Sequence, residues 1–382
     1  MLVSPVRTGR DRLHQSARHG ASGHPVKETF VMPTRFLALS VAAAFGALMG
    51  SAQEATAQDV DPQKAAACMQ AVDGANYEQV LAACPEVLEV LPEDHPYYAH
   101  WAQTVNYAYS LQCQPAFEAQ QWDSVIAYCQ MAVEANPGAF IMNYFLGVAH
   151  QTKEDWANTA VNFAAFLNGV RGNSEAASQL SDQVATAQRS GGIAYARAGA
   201  LQDAIPLLQA ASRASGTDVE VHYRLAVALL STGDSAGAER AFSVVIDNAP
   251  NPIASVLFLA GQLNYNAGDY ARADARLTAY LANAGGDRGV PDAHFMLAQA
   301  LQGSDEDRAV THYQGFLSGS AAGDPRIVDA NFALGTIFYN RDDCGNAETH
   351  YQTFMELAPD HANAAQVTEI LASIAEGGCE GG

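Results

Sequence analysis

Residues Asp218–Pro250 read DVEVHYRLAVALLSTGDSAGAERAFSVVIDNAP, and this stretch predicts two short helices. Apolar residues recur at helical spacing in each half of the stretch. Gly233 and Asp234 separate the halves, and Pro250 ends the second one. The residues that mark the two apolar faces are Leu225, Ala226 and Leu229 in the first half and Ala238, Phe242 and Val245 in the second. The stretch is therefore predicted to be a helical hairpin.

The hairpin pattern is repeated along the chain, and Ala204 and Ala238 stand one repeat apart. It resembles the tetratricopeptide repeat, a helix-turn-helix unit of about 34 residues. That family has a bulky residue at position 4, Leu at 7, a small residue at 8, Ala at 20, a bulky residue at 24 and Pro at 32. Leu225, Ala226, Ala238, Phe242 and Pro250 stand at positions 7, 8, 20, 24 and 32. Further units are marked by Leu146-Gly147, Gly192 with Leu208, Gly261 with Leu277, Leu297-Ala298 with Tyr313, and Leu334-Gly335 with Tyr351.

The resemblance implies an all-α fold, a right-handed α-solenoid of about eight such units closed by a C-terminal capping helix. We expect four regions: an extension with a signal peptide (1–57), two divergent units (58–137), six further units (138–360), and the capping helix with a tail (361–382). Two joins between units are longer than one repeat, each by about 11 residues, which is close to three helical turns. We therefore expect extended first helices around His95–Gln114 and Ser174–Ala198. A loop near Asn168–Ser174 is the alternative to the second. The capping helix is expected at His361–Glu376.

The chain is strongly acidic, with a formal net charge of −21. Residues 1–57 hold six basic and three acidic side chains, and the rest of the chain has a net charge of −24. Binding to nucleic acid or to anionic lipid needs clustered Lys and Arg. This composition therefore predicts no nucleic-acid partner.

The N-terminus predicts export. Arg35 precedes the apolar run Phe36–Met49, and Ala55-Thr56-Ala57 fits a signal-peptidase site. The run is shorter than the roughly 20 residues that span a bilayer. We therefore expect a periplasmic mature protein without a transmembrane segment, with an uncleaved anchor helix as the alternative. Met32 is the expected true start.

The repeat register pairs the six cysteines. Cys68 and Cys84 fall at positions 8 and 24 of the first unit, and Cys113 and Cys129 fall at the same positions of the second. These positions face each other across a helical hairpin, so two disulfides are expected there. Cys344 and Cys379 are expected to form a third, between antiparallel helices. Free thiols or a metal site are the alternatives, but zinc-type Cys and His spacing is absent.

A partner groove is expected on the first helices, which line the concave face in this family. Aromatic residues occupy position 5 of five units, with amides and tyrosines at positions 9 and 12. The candidate groove residues are Tyr144, Tyr223, Phe258, Gln262, Tyr265, Phe295, Gln299, Phe332 and Tyr339. Exposed aromatic surface indicates recognition. The alternative is that the position-5 rings belong to the core.

Catalytic and cofactor motifs do not stand in the context they need in the predicted exported chain. It lacks G-x-x-x-x-G-K and H-E-x-x-H, and its G-x-S-x-G match, Gly233–Gly237, falls in the turn of a predicted helical hairpin rather than after a strand. His222 and His294 stand at a packing position, whereas His312 and His350 are expected to face outward. The sequence therefore predicts a non-enzymatic scaffold without a metal or cofactor, which binds a protein or peptide in its groove. Glycan binding, as in polysaccharide export, is the rival hypothesis.

Overall fold

The structure is a computed structural model that describes residues 61–378. Within this range the chain forms 18 α-helices and no strand. Sixteen of the helices make eight successive hairpins, which confirms the predicted all-α solenoid. The signal peptide, the true start and Cys379 lie outside the described residues.

The helices are numbered in chain order. The first four hairpins and a short helix are α1 (Pro62–Asp73), α2 (Tyr77–Val90), α3 (Tyr98–Glu118), α4 (Trp122–Ala135), α5 (Phe140–Thr152), α6 (Trp156–Arg171), α7 (Ser174–Gln179), α8 (Ser181–Arg197) and α9 (Leu201–Ala214). The remainder are α10 (Val219–Ser231), α11 (Ser235–Asn248), α12 (Ala254–Asn266), α13 (Tyr270–Asn283), α14 (Val290–Leu301), α15 (Glu306–Gly319), α16 (Arg326–Asn340), α17 (Cys344–Leu357) and α18 (Ala364–Ala375).

The hairpin α10–α11 shows why the sequence folds this way. The Asp218 carboxylate accepts a hydrogen bond from the Val221 amide at 3.1 Å and caps α10. Gly233 turns the chain with φ of 91°. Asp234 then caps α11 by accepting from the Gly237 amide at 2.8 Å. A cap at each start and a left-handed residue between them define the unit.

The two helices of a hairpin touch where a small residue at position 8 meets a large one at position 24. A Cβ added to Gly147 would lie 2.8 Å from Phe163, and one added to Gly261 would lie 2.7 Å from Leu277. In the first two hairpins, cysteine pairs occupy these same positions. The Cα atoms of Cys68 and Cys84 are 4.8 Å apart, and those of Cys113 and Cys129 are 5.2 Å apart. The structure thus joins both predicted pairs by disulfides.

The structure confirms an extended first helix at one of the two long joins between units but not at the other. Helix α3 has 21 residues, as expected of an extended first helix. The expected continuous helix at 174–198 is wrong, because Leu180, with φ of −110° and ψ of 29°, separates α7 from α8. The Leu180 side chain is buried in the same core cluster as Val170 and Ala187, so the residue at the break is held by the core. The alternative loop is wrong too, since α6 runs to Arg171 and Asn173 already caps α7.

Successive first helices form the inner side of the array. Contacts join α3 to α5, α8 to α10 and α12 to α14, whereas the second helices of the described hairpins make no comparable contacts with each other. Because elements approach on the inside of a curve and separate on the outside, the first helices line the concave face. Helix α18 packs on α17 and closes the last hairpin. Nowhere between residues 61 and 378 is a helix both long and apolar enough to cross a bilayer.

Candidate binding groove

The candidate groove lies on α12, α14 and α16, the first helices of the last three hairpins. The Tyr265 hydroxyl donates a hydrogen bond to Oε1 of Gln299, which joins α12 to α14. Gln262 is exposed, and Tyr339 is partly buried. These residues bring the predicted positions 9 and 12 onto one surface.

The position-5 rings divide into two groups. Tyr144 and Phe295 are buried, with exposed fractions of 9% and 7%, so they belong to the core, as the alternative interpretation expected. Tyr223, Phe258 and Phe332 are only partly buried and keep surface that a ligand could contact. The difference comes from neighbours, because each unit covers its ring with different side chains.

Most position-5 rings pack on a ring at position 27 of the same hairpin. The centroid distances are 5.3 Å for Tyr144–Phe166, 5.0 Å for Phe258–Tyr280, 4.9 Å for Phe295–Phe316 and 5.4 Å for Phe332–Phe354. These aromatic pairs fall within the range of favourable ring contacts. They pack the partly exposed rings Phe258 and Phe332 against the second helices of their hairpins.

The sequence analysis did not predict that two buried tyrosines hydrogen-bond to residues of the groove helices. Tyr313 donates to Oε1 of Gln302 at 2.9 Å, and Tyr351 donates to Oγ1 of Thr336 at 3.1 Å. Both tyrosines are buried at position 24 of second helices, and a hydroxyl buried there needs a partner. The sequence signal for these hydrogen bonds was the tyrosine itself, which stands at position 24, where the family accepts any bulky residue.

The histidines were partly misassigned. His312 and His350 do not face outward as expected. His312 lies 3.0 Å from His294 between their Nδ1 atoms, and His350 Nδ1 lies 2.9 Å from Oδ1 of the buried Asn331. Both side chains therefore lie between the two helices of their hairpins. Burial, with the nearby His294 and Arg308, lowers the pKa of His312 to about 4.

Arginine–carboxylate pairs link successive hairpins. Arg308 donates to Asp274 at 2.8 Å, and Arg341 donates to Asp307 at 2.7 Å. The hydrogen bond from Arg308 is the main reason that the pKa of Asp274 lies below its ordinary value. Because many arginines are held in this way, much of the remaining surface charge is negative.

Metal ligands do not gather in the part of the chain that the structure describes. No group of three or more His, Cys, Asp or Glu side chains could hold an ion there. The His294–His312 pair has no third ligand and packs against Gly315.

The fold and the groove define an α-solenoid of paired helices, a class that presents extended concave surfaces to partners. Residues 195–263 match the tetratricopeptide repeat family. This match confirms, for that part of the chain, the resemblance to the tetratricopeptide repeat read from positions 7, 8, 20 and 24. None of the curated proteins compared matches it at a significant level.

Several solved structures are similar to parts of the chain. One is the MamA protein, at 18% identity over 47% of this chain and 91% of that chain, with a TM-score of 0.35. Another is YrrB, described as a tetratricopeptide repeat protein with an unusual peptide-binding site, at 14% identity over 48% and 92%, with a TM-score of 0.38. A third is the C-terminal part of a repeat protein from Cytophaga hutchinsonii, at 14% over 68% and 98%, with a TM-score of 0.37. Scores this low carry no argument about function.

Proposed function

We propose that this protein is a non-enzymatic, exported scaffold that binds an extended peptide segment of a protein partner on α12, α14 and α16. The observation that carries the proposal is a pair of partly exposed rings with hydrogen-bonded amides between them. Phe258 and Phe332 supply apolar surface, and the tyrosine bonds fix Gln299 and Gln302. Envelope or secretion-complex assembly is the process in which such a scaffold would serve.

The fixed amides suit a peptide backbone. The Oε1 atoms of Gln299 and Gln302 accept from tyrosine hydroxyls, which leaves both Nε2 groups available as donors. A peptide in extended conformation presents backbone carbonyls that need donors. Because the amides are held in place before binding, little side-chain entropy is lost when a peptide docks.

Two observations support export to the periplasm. The disulfide pairs of the first two hairpins are of a kind that persists in oxidising compartments. The apolar run Phe36–Met49 has the length of a signal-peptide core.

A polysaccharide is the second candidate ligand. Tyr270 is 49% exposed, and its ring centroid lies 5.8 Å from that of Tyr265. Ring faces beside the exposed Gln262 amide would suit stacking and hydrogen bonding to a sugar.

A binding screen separates the two candidates. Random peptides of about 12 residues extend to about 40 Å, enough to cross several first helices. We expect binding to this peptide library and none to a bacterial glycan array. Gln299→Ala should weaken peptide binding, and Val161→Ser, a change at an exposed site on the second helix α6, should not. Binding to glycans alone would replace the scaffold proposal with the second candidate.

A further inference from the structure

One arginine of this chain already lies in a repeat-derived pocket. The Arg326 guanidinium carbon lies 5.4 Å from the Phe295 ring centroid and 5.1 Å from that of Phe316. Its Nη2 atom is 2.7 Å from Asp292 and 2.7 Å from Asp324. Rings within about 6 Å of a guanidinium attract it, and carboxylates hold it by charge. The seventh hairpin thus holds a cationic side chain with an aromatic pair and Asp292, and Asp324 from the loop before Arg326 adds a second carboxylate.

The eighth hairpin repeats the ring pair and one of the two carboxylates, without the arginine. Phe332 and Phe354 form the equivalent ring pair, at 5.4 Å. Asp329 stands three residues before Phe332, as Asp292 stands three residues before Phe295. Asp329 is exposed and makes no ion pair with any residue from 61 to 378. We call Asp329, Phe332 and Phe354 the terminal box.

The sixth hairpin shows that the pocket is not a general feature of the repeat. Ser255 precedes Phe258 by three residues, so no carboxylate accompanies the ring pair there. Gly289 stands in the repeat position that Arg326 occupies one unit later. A Cβ added to Gly289 would lie 2.8 Å from the Tyr280 hydroxyl and 3.3 Å from Phe258. Side chains are therefore excluded from that place. In the terminal box the Asp329 carboxylate is exposed and Phe332 keeps part of its surface, whereas Phe354 is buried behind it.

The chain next to the terminal box supplies no arginine. His361 lies edge-on to Phe354 at 5.2 Å, and the preceding residue is Asp360. Helix α18 packs Ile370 and Leu371 against the same apolar cluster, but Asp329 stays exposed. The charge left over at this end of the groove is negative, which fits a cation.

We infer that the terminal box is a side-chain subsite for an arginine of the bound peptide, which would pair with Asp329 and lie over the exposed part of Phe332, as Arg326 pairs with Asp292 and lies over Phe295 one hairpin earlier. This inference rests on the proposed function and adds the chemistry of the partner. The partner peptide would place its apolar residues on Phe258 and its arginine beside Asp329. Opposite charge on a flexible peptide also accelerates encounter with this acidic protein.

The test uses the full mature chain and the peptide library in two forms, with arginine or with neutral citrulline at one fixed position. We expect the arginine form to bind about tenfold more tightly, as a charged hydrogen bond with ring contact predicts. Asp329→Asn should abolish this preference. Glu356→Gln removes an exposed charge from the second helix α17 and should keep it.

The outcomes separate the two levels of the proposal. Peptides that bind the groove without an arginine preference, or whose preference survives Asp329→Asn, overturn the terminal box and leave the scaffold proposal standing. An equal loss in Glu356→Gln also overturns it, because the effect would then be general charge. If neither library binds, the scaffold proposal fails, and the box fails with it. Circular dichroism of each variant checks that the fold is intact.

Discussion

One residue between the helices of each described hairpin adopts a left-handed conformation. Glycine fills this place in four hairpins, namely Gly199, Gly233, Gly268 and Gly303. The other four hairpins use Ala75, Gln120, Glu154 and Asp342, with φ between 49° and 58°. A side chain in this region costs free energy that glycine does not. The turn residue is therefore a site where stability can be gained.

Replacing Gln120 by glycine should stabilise the protein. The exposed side chain hydrogen-bonds to nothing between residues 61 and 378, so relief of the strained φ of 56° should raise the free energy of unfolding by about 0.5–1 kcal/mol. Gly233→Ala, which has open space around the added Cβ, should lower it by about 1 kcal/mol through φ alone. Urea unfolding of both variants provides the measurement, and a stabilised Gly233→Ala would contradict this explanation of the turn.

His312 should make stability depend on pH. Its pKa falls from 6.5 to about 4 on folding, so the unfolded chain binds the proton more strongly. The contribution of the neutral ring is complete above pH 6.5 and is lost as pH falls toward about 4. For a half-buried group we expect a loss of about 1–2 kcal/mol over this window.

A non-titrating variant isolates the histidine from the carboxylates. Thermal unfolding of the wild type and of His312→Leu, measured from neutral pH down through the same window, should show a smaller acid loss in the variant. Identical pH profiles would mean that His312 is not buried neutral between α14 and α15.

Helix pairs are held together by the small-to-large contact at positions 8 and 24. Gly261→Ala would put a methyl group 2.7 Å from Leu277, so we expect destabilisation of about 1–3 kcal/mol. Gly286→Ala is the matched control, because open space surrounds that glycine. If the two variants had equal midpoints in denaturant, close helix approach would not be what the small residue provides.

The disulfides replace this contact in the first two hairpins. Closing a loop of about 15 residues contributes roughly 3 kcal/mol in the chain-entropy model. The double variant Cys68→Ser with Cys84→Ser should therefore lower the melting temperature under oxidising conditions. Addition of a thiol reductant should lower the wild type further than the variant. Peptide mapping without reduction should also recover the predicted Cys344–Cys379 bridge, and a Cys68–Cys113 peptide would contradict the repeat register.

Helical register was predictable from residue spacing, but local breaks were not. Positions 8 and 24 correctly located the hairpins and the paired cysteines, because packing across the hairpin demands those sizes. The interruption at Leu180 was missed, because the periodicity of one segment does not show which of its side chains the neighbouring helices will bury. The inward direction of His312 and His350 was missed for the same reason: it depends on partners on the preceding helix, namely His294, for which Gly315 leaves room, and Asn331.

At the scale of the whole molecule, the array combines a covalently tied N-terminal part with a later part linked by ion pairs. The disulfides lie in the first two hairpins, and the Arg308–Asp274 and Arg341–Asp307 pairs join the last three. The aromatic column at position 5 was visible in the sequence. The sequence did not show which of these rings are buried and which are partly exposed, because exposure depends on neighbours such as Arg326, which covers Phe295.

The central claim is that partners dock on the first helices, and site-specific photo-crosslinking tests it most directly. A photoreactive phenylalanine analogue would replace Gln262 in the groove or, as the control, Val161 on α6, which is 59% exposed. In cells that produce the protein, we predict a covalent crosslink between a partner protein and the residue at position 262, and none at position 161. Equal crosslinking at both sites, or adducts at Val161 alone, would contradict the proposal that the groove is the binding surface.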